Sequence, residues 1–291
     1  MTILLFGKNG QVGSELQRAL APLGKLVALD RQEADFTKPD QFAEIIRTIK
    51  PKTIVNAAAY TAVDKAENDK DTAFLINATA PEIIAKEAQR CSATLIHYST
   101  DYVFDGAGTT PFKESDATHP LNIYGHSKKA GEDVIVASGC NHIILRTSWV
   151  YGATGKNFAK TMIELAQTRD TLNVVYDQIG APTGAALLAD CTAQLLKTAP
   201  HATGLFHLAA TGETSWYDYA RFVLDTAQNL GVALKLPPDA ITPVSSKDYK
   251  TPAARPLNSR LNITKFQETF GITLPPWQEG VTAMLKQLYE R

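Results

Sequence analysis

The chain has 291 residues, of which 44% are hydrophobic and 20% are charged, and its formal net charge is −1. A chain of this length buries a sizeable core without disulfides or metal, and the lack of a basic cluster argues against nucleic acid as a partner. Three widely spaced cysteines and no apolar run of about eighteen residues argue against a disulfide framework and a membrane span, so we expect a cytoplasmic protein.

Short apolar runs alternate with longer amphipathic segments through the first half of the chain. The runs at 2–6, 25–29, 53–56 and 94–99 predict strands, and the segments at 11–20, 39–49 and 72–90 predict helices. A helix at 127–137 and a strand at 143–147 continue the pattern. This alternation is typical of βαβ units, so we predict an α/β fold with a Rossmann-type, doubly wound parallel sheet.

The pattern loosens after Trp149, where loops rich in Gly and Pro separate shorter helices such as one at 216–230. We therefore predict two lobes. Residues 1–147 with roughly 184–212 form a dinucleotide-binding domain, and roughly 148–183 with 213–291 form a smaller α/β substrate-binding lobe.

A glycine-rich turn follows the first predicted strand directly. Gly7, Gly10 and Gly13 have the spacing G-x-x-G-x-x-G, which permits a sharp turn and lets a pyrophosphate approach a helix N-terminus. Asp30, at the end of the second strand, can accept hydrogen bonds from an adenosine ribose, which favours NADH. The neighbouring Arg31 could instead hold the 2′-phosphate of NADPH. The turn predicts a dinucleotide site and leaves the choice between NADPH and NADH open.

A tyrosine and a lysine four residues apart indicate carbonyl chemistry. Tyr124 and Lys128 lie on one face of a predicted helix, and an ammonium group near a phenol favours the phenolate. Such a tyrosine can give a proton to a carbonyl oxygen while hydride reaches the carbon. Thr100 follows the strand at 94–99, at the carboxyl edge where parallel sheets bind ligands, and can hydrogen bond the same carbonyl.

Taken together, these motifs resemble the extended short-chain dehydrogenase/reductase family over nearly the whole chain. Within that family the chain is similar to reductases that act on the 4-keto group of a dTDP-linked sugar. The resemblance rests on segments 7–13, 55–67, 98–105, 124–128, 146–152, 178–184 and 255–261.

The resemblance implies roles for individual residues. It makes Tyr124 the proton donor, Lys128 its modulator and nicotinamide-ribose anchor, and Thr100 the third catalytic residue. It places Asp101 and Trp149 against the sugar nucleotide, and Arg255 could clamp a diphosphate with two hydrogen bonds. The cofactor contacts that the resemblance implies are Gly10, Gln11, Val12, Asp30, Asp35, Phe36, Ala59, Tyr60, Thr61 and Tyr98. The glycine-rich turn and the end of the second strand add Gly7, Gly13 and Arg31 to the predicted cofactor site.

Two departures from the family narrow the expected chemistry. Related dehydratases place an Asp-Glu pair after the catalytic Thr, whereas Tyr102 follows Asp101 here, which argues against loss of water. Some related reductases dimerise around magnesium, but alanines occupy 185–186 where an acid would be expected, although Glu15 remains. The sequence leaves a monomer or a homodimer open and argues against magnesium as the bridge. The histidines show no metal-ligand spacing, so we predict no metal site.

Two alternative functions use the same fold. A sugar-nucleotide epimerase would take hydride and return it, keeping its cofactor tightly bound. A non-catalytic regulatory subunit, resembling that of methionine adenosyltransferase, would act only by binding its partner. An intact set of Thr100, Tyr124 and Lys128 favours an enzyme.

Overall fold

A computed structural model describes residues 1–290. Its strands are β1 (Thr2–Phe6), β2 (Lys25–Leu29), β3 (Thr53–Asn56), β4 (Thr94–Thr100), β5 (His142–Thr147), β6 (Val150–Tyr151), β7 (Leu172–Val175), β8 (Ile179–Gly180), β9 (Thr183–Gly184), β10 (Gly204–His207), β11 (Thr214–Ser215) and β12 (Ile241–Val244). Its α-helices are α1 (Gln11–Leu20), α2 (Pro39–Ile49), α3 (Val63–Ala66), α4 (Lys70–Phe74), α5 (Ala80–Arg90), α6 (Ile123–Ala137), α7 (Phe158–Ala166), α8 (Ala185–Thr198), α9 (Trp216–Asn229), α10 (Thr264–Phe270) and α11 (Trp277–Tyr289).

Six parallel strands form the central sheet in the order β10-β5-β4-β3-β1-β2. The strand order reverses between β1 and β3, and ligands of such sheets bind outside the carboxyl ends of the strands at this point. The glycine-rich turn after β1 and the alanine-rich segment after β3 both lie there. The predicted α/β class and parallel sheet are confirmed.

Apolar side chains cover both faces of the sheet. Leu16 of α1 and Leu188 of α8 pack on one face, and Phe42 of α2, Ile84 of α5 and Ile135 of α6 pack on the other. Strands buried on both faces are continuous apolar runs rather than alternating ones. This is why β1, with sequence TILLF, was readable from sequence alone.

A second core joins the remaining helices. Met162 of α7, Val223 of α9 and Val281 of α11 pack together, and the short strands β7 and β12 pair beside them. Helix α10 belongs elsewhere: Phe266 and Phe270 are buried in the sheet's core, although the predicted boundaries put them in the substrate lobe. The boundaries of the two lobes stay a prediction.

Two helices differ from their predicted form. The segment predicted as one helix at 72–90 is α4, a π-helical turn over Leu75–Thr79, and α5. Helix α6 begins at Ile123 rather than 127, because the Asn122 side chain caps it by accepting a hydrogen bond from the Gly125 N–H at 2.8 Å. The earlier start places Tyr124 in the first turn.

Within residues 1–290, no helix combines the length and the apolar character that a membrane crossing requires.

Candidate active site

The glycine-rich turn packs tightly at two of its three glycines. Gly7 has φ +85°, and a Cβ there would lie 2.7 Å from the Ala58 backbone nitrogen. A Cβ on Gly13 would lie 2.0 Å from the Gly7 carbonyl oxygen. On Gly10 it would meet only that same oxygen, at 3.4 Å, among the described residues. Gly7 and Gly13 therefore serve the fold, while Gly10 leaves space open for a ligand.

A cavity of about 990 Å³ opens beside this turn. Its size is at the upper end for sites that bind small molecules and cofactors. The predicted cofactor residues that line it are Gly7, Gly10, Asp30, Arg31, Asp35, Phe36, Ala59, Tyr60 and Thr61. The structure thus brings together most of the residues that the sequence proposed for the cofactor.

The Asp30 carboxylate is held by its own loop. It accepts hydrogen bonds from the Gln32 backbone N–H at 2.9 Å and the Asn9 side chain at 3.1 Å, and Lys8 lies 3.6 Å away. Arg31 is exposed on the cavity wall. A carboxylate and a guanidinium group therefore face the same space, and the preference between NADH and NADPH stays open.

Three predicted cofactor residues direct their side chains elsewhere. Gln11 accepts a hydrogen bond from Asn157 at 3.0 Å, and Val12 packs against the sheet's core. The Tyr98 side chain is buried and shares a 2.6 Å hydrogen bond with the Thr192 hydroxyl. Their contacts with a cofactor stay predictions, and for Tyr98 the group facing the site is the backbone carbonyl.

The three predicted catalytic residues converge at the carboxyl end of β4. Thr100 is the last residue of that strand, and its hydroxyl caps a 3₁₀ turn over Asp101–Val103. Tyr124 and Lys128 follow one another along α6, one turn apart. Burial raises the pKa of the Tyr124 hydroxyl well above its usual range, and its hydrogen bond with Thr100 opposes that rise. Tyr124 is therefore a protonated acid at neutral pH.

Lys128 is fully enclosed. Its Nζ donates to the Tyr98 carbonyl at 2.6 Å and lies 3.3 Å from His97 Nε2. Burial lowers the pKa of Lys128 to about 8, with the Glu132 carboxylate opposing the shift. An amine with such a pKa exchanges a proton readily near neutral pH.

Asp101 is a buried carboxyl beside Thr100. It accepts a hydrogen bond from the Thr100 hydroxyl at 3.0 Å, and its second oxygen has no hydrogen-bond partner within residues 1–290. Burial raises the pKa of Asp101 to about 6, against hydrogen bonds from Ser259 and Thr100 that favour the carboxylate. The second oxygen is a group that could receive a sugar hydroxyl.

Two further residues predicted for the sugar nucleotide, Trp149 and Arg255, are positioned by their neighbours. Trp149 has φ +47° and stacks on Trp216 with ring centroids 3.6 Å apart, while a Cβ on Gly180 would lie 2.7 Å from the Trp149 ring. A positive φ in a bulky residue is strained, and such strain clusters at functional sites. Arg255 forms an ion pair with Asp64 at 2.7 Å, so one partner of its guanidinium group is already a protein carboxylate.

Arg255 also connects to Tyr124, the predicted proton donor. It lies 3.3 Å from the Tyr102 hydroxyl, and the Tyr102 ring packs edge-on against Tyr124 at 5.6 Å. The Ala254 carbonyl accepts a hydrogen bond from Asn122 at 2.7 Å. The segment that carries Arg255 is therefore fixed against the start of α6.

Sequence reasoning missed a supporting asparagine, Asn77, in the π-helical turn. Its side chain accepts the Tyr60 N–H at 2.8 Å, and its amide lies within hydrogen-bond distance of the Tyr60 carbonyl and the Ser127 hydroxyl, at 3.0 Å each. It thus joins the cofactor cavity to α6. A polar residue in an otherwise apolar helical stripe was the available signal, and π-turns occur often at functional sites.

A parallel sheet with a glycine-rich turn at its switch point, flanked by a Thr-Tyr-Lys set, defines a nucleotide-dependent oxidoreductase of the short-chain dehydrogenase/reductase type. Comparison with known proteins specifies the family. A family model described as the RmlD substrate binding domain matches residues 1–290. The chain belongs to this family.

Similar proteins cover the full chain. The dTDP-4-dehydrorhamnose reductase of Escherichia coli K12 is 54% identical over 99% of this chain and 98% of its own length. The crystal structure of dTDP-4-dehydrorhamnose reductase from Bacillus anthracis in complex with NADP superposes with a TM-score of 0.91 at 35% identity, covering 98% and 99% of the two chains. A UDP-glucose 4-epimerase from Thermus thermophilus has a TM-score of 0.81 at 16% identity, covering 100% and 99%. The last likeness concerns the fold alone.

Proposed function

We propose that this protein reduces the 4-keto group of dTDP-4-dehydrorhamnose to give dTDP-L-rhamnose, with NADPH or NADH as the hydride donor. The observation that carries the proposal is the convergence of Thr100, Tyr124 and Lys128 at the carboxyl end of β4, in the same sheet whose glycine-rich turn lines the cavity. The names of the full-length relatives point to the same reaction. The intact set of Thr100, Tyr124 and Lys128 favours this enzyme over a subunit that only binds a partner.

The residues around the cavity suit a dinucleotide. Gly10 leaves the helix N-terminus of α1 open to a pyrophosphate, and Asp30 and Arg31 face the place of an adenosine ribose. When bound, the nicotinamide supplies hydride to the carbonyl carbon. Lys128 would hold the nicotinamide ribose, and the small Ala59 lets the dinucleotide lie across the strand ends.

Protonation of the carbonyl oxygen falls to Tyr124. Hydride arrival builds negative charge on that oxygen, and a protonated phenol beside it removes the charge as it forms. Thr100 donates a hydrogen bond to the same oxygen, which orients the carbonyl. Lys128 favours the phenolate left behind when its amine is charged, since an opposite charge nearby stabilises an anion.

Substrate binding falls to the second lobe and the β4 turn. Trp149 covers the sugar, Asp101 accepts a hydrogen bond from one of the sugar's hydroxyl groups, and Arg255 contacts the diphosphate. Tyr102 occupies the place where a dehydratase would carry Glu, so this site has no second acid for loss of water. We expect the enzyme to act in the cytoplasm, as a monomer or a homodimer.

Single-turnover oxidation of NADPH with dTDP-4-dehydrorhamnose tests the assignment of Tyr124. Tyr124→Phe keeps the ring and removes the proton, so we expect the chemical step to slow by about 10²–10⁴-fold with substrate affinity little changed. Tyr176→Phe, which alters an exposed tyrosine, is the matched control and should react like the wild type. A wild-type rate in Tyr124→Phe would show that another group is the acid. An epimerase would show no net NADPH oxidation.

A further inference from the structure

Two buried, hydrogen-bonded polar side chains, those of Asn56 and His97, lie behind Lys128 and take no part in the mechanism above. Asn56 ends β3, and His97 is its direct partner on β4 in the parallel sheet. Both are only 1% exposed, and Lys128 is 2% exposed. Asn56 Nδ2 lies 3.1 Å from His97 Nδ1, and His97 Nε2 lies 3.3 Å from Lys128 Nζ.

The orientation of the Asn56 amide is fixed by the backbone. Its Oδ1 accepts the Ala58 N–H at 3.1 Å. Turning the amide over would set its NH₂ group against that N–H, leaving two donors face to face in a buried place. The NH₂ group therefore points at His97 Nδ1 and donates to it.

This orientation selects one form of His97. Since Nδ1 accepts a hydrogen bond, the proton of the neutral ring must be on Nε2. Burial lowers the pKa of His97 well below its usual value, with the charge of Lys128 adding to the shift, so the ring is neutral. The Nε2–H then points at Lys128. A neutral amine can accept this hydrogen bond. An ammonium group cannot, because it has only N–H donors, and one donor would then face another.

The hydrogen bonds of Lys128 agree with this reading. Within residues 1–290, its bonded partners are His97 and the Tyr98 carbonyl, and neither is a carboxylate. The nearest acid on its own helix, Glu132, is already paired through both oxygens with Arg146, at 2.6 and 2.8 Å. Other ionisable groups on α6 or packed against it include Glu67, Asp101, Tyr102, Tyr124, His126, Lys129 and Asp133.

We propose that His97, oriented by Asn56, is a positioning residue that stabilises the neutral amine of Lys128 and so eases the return of a proton to Tyr124. The inference rests on the proposed reductase function. After Tyr124 protonates the substrate oxygen, an N–H bond of the Lys128 ammonium breaks and the tyrosine O–H bond re-forms. The phenolate becomes a phenol and the ammonium a neutral amine. The His97 Nε2–H donates to the new lone pair, and a proton from solvent later restores the ammonium.

Two substitutions would present Lys128 with a hydrogen-bond acceptor in place of the His97 Nε2–H donor. Asn56→Asp replaces the amide donor by an acceptor, which places the His97 proton on Nδ1 and turns the Nε2 lone pair towards Lys128. His97→Gln offers Lys128 an amide oxygen without adding charge. Each change gives the ammonium an acceptor, so we expect the titration midpoint of Lys128 to rise by about one pH unit, with the pH profile of kcat moving in the same direction.

The measurement is an NMR titration of the full chain with lysine labelled at Cε, in which Lys128→Met assigns the signal. His126→Gln alters an exposed histidine on the same helix and should leave the midpoint unchanged. If Asn56→Asp acts through the ring, its shift should fall to less than half in the His97→Gln background.

The titration separates this inference from the proposed reaction. Midpoints that stay at the wild-type value in both Asn56→Asp and His97→Gln would overturn the role of His97. If Asn56→Asp does not fold, the midpoint of His97→Gln decides alone. The titration needs no turnover, whereas failure of the reductase assignment appears separately, as an unchanged rate in Tyr124→Phe.

Discussion

Gly10 and Gly13 are three residues apart in one turn, yet the structure gives a methyl group on each a different effect. At Gly13 the new carbon would lie 2.0 Å from the Gly7 carbonyl oxygen, 2.8 Å from the Gly7 carbonyl carbon and 3.0 Å from the Lys8 Cα. All three are backbone atoms, so α1 must move away from the turn by about 1.4 Å to bring the 2.0 Å contact to an ordinary 3.4 Å.

The energetic result can be worked from that overlap. Overpacking of a close contact costs typically about 1–3 kcal/mol, whereas replacing a helical glycine by alanine gains at most about 1 kcal/mol, and Gly13 lies in the first turn of α1. Gly13→Ala should therefore lower the free energy of unfolding by about 1–2 kcal/mol. Gly10→Ala meets an oxygen at 3.4 Å and has φ −73°, which alanine adopts freely, so its stability should stay within about 0.5 kcal/mol of wild type.

Gly10→Ala, which should hardly change the stability, should instead weaken the binding of the cofactor. A methyl group there projects where the pyrophosphate must approach the backbone, so NADPH binding should weaken at least about tenfold, or 1.4 kcal/mol. Urea unfolding without ligand and titration with NADPH measure the two effects separately. Wild-type NADPH affinity in Gly10→Ala, or equal losses of stability in the two variants, would refute the division of roles between the glycines.

Two further predictions concern the surroundings of Trp149 and of His207. Trp149→Ala should raise the Michaelis constant for the sugar nucleotide and leave that for NADPH nearly unchanged, because the ring stacks on Trp216 in the lobe that we propose binds the sugar. A change in thermal stability alone would return Trp149 to a packing role. Burial lowers the pKa of His207 to about 3, so the unfolded chain binds this proton below about pH 6.5 while the folded protein does not. The free energy of unfolding should therefore fall as pH drops from about 6.5 towards 3, and His207→Gln should make urea unfolding curves less dependent on pH across that window.

The central sheet was predictable because its signals are local. A buried parallel strand is a short apolar run, and an amphipathic helix repeats its apolar residues within a few positions. The bounds of β1, β2, β3, α1 and α2 match the predicted segments residue for residue. The turn after β1 was readable for the same reason, since glycine spacing is a property of seven consecutive residues.

Contacts between distant parts of the chain were not predictable in this way. Arg255 pairs with Asp64, 191 residues away, and Asn77 meets Ser127 across 50 residues. Neither pair leaves a periodic signal, because each is created only when the two elements dock. The packing of Phe266 on the sheet is similar, since one apolar helix face suits either core and the sequence does not say which.

The four-residue spacing along α6 explains why one helix can hold the proposed proton donor, its proposed modulator and a structural ion pair. Tyr124, Lys128 and Glu132 lie on the same face, at successive turns from the substrate side into the core. Arg146 of β5 engages both oxygens of Glu132 and so locks the inner end of the helix to the sheet. With its acid neighbour already paired, Lys128 faces the His97 ring instead of a carboxylate, and its charge can change with pH. A lysine in a direct ion pair would stay charged, whereas the bonded partners of Lys128 within residues 1–290 are uncharged, which is consistent with the proposed return of a proton to Tyr124.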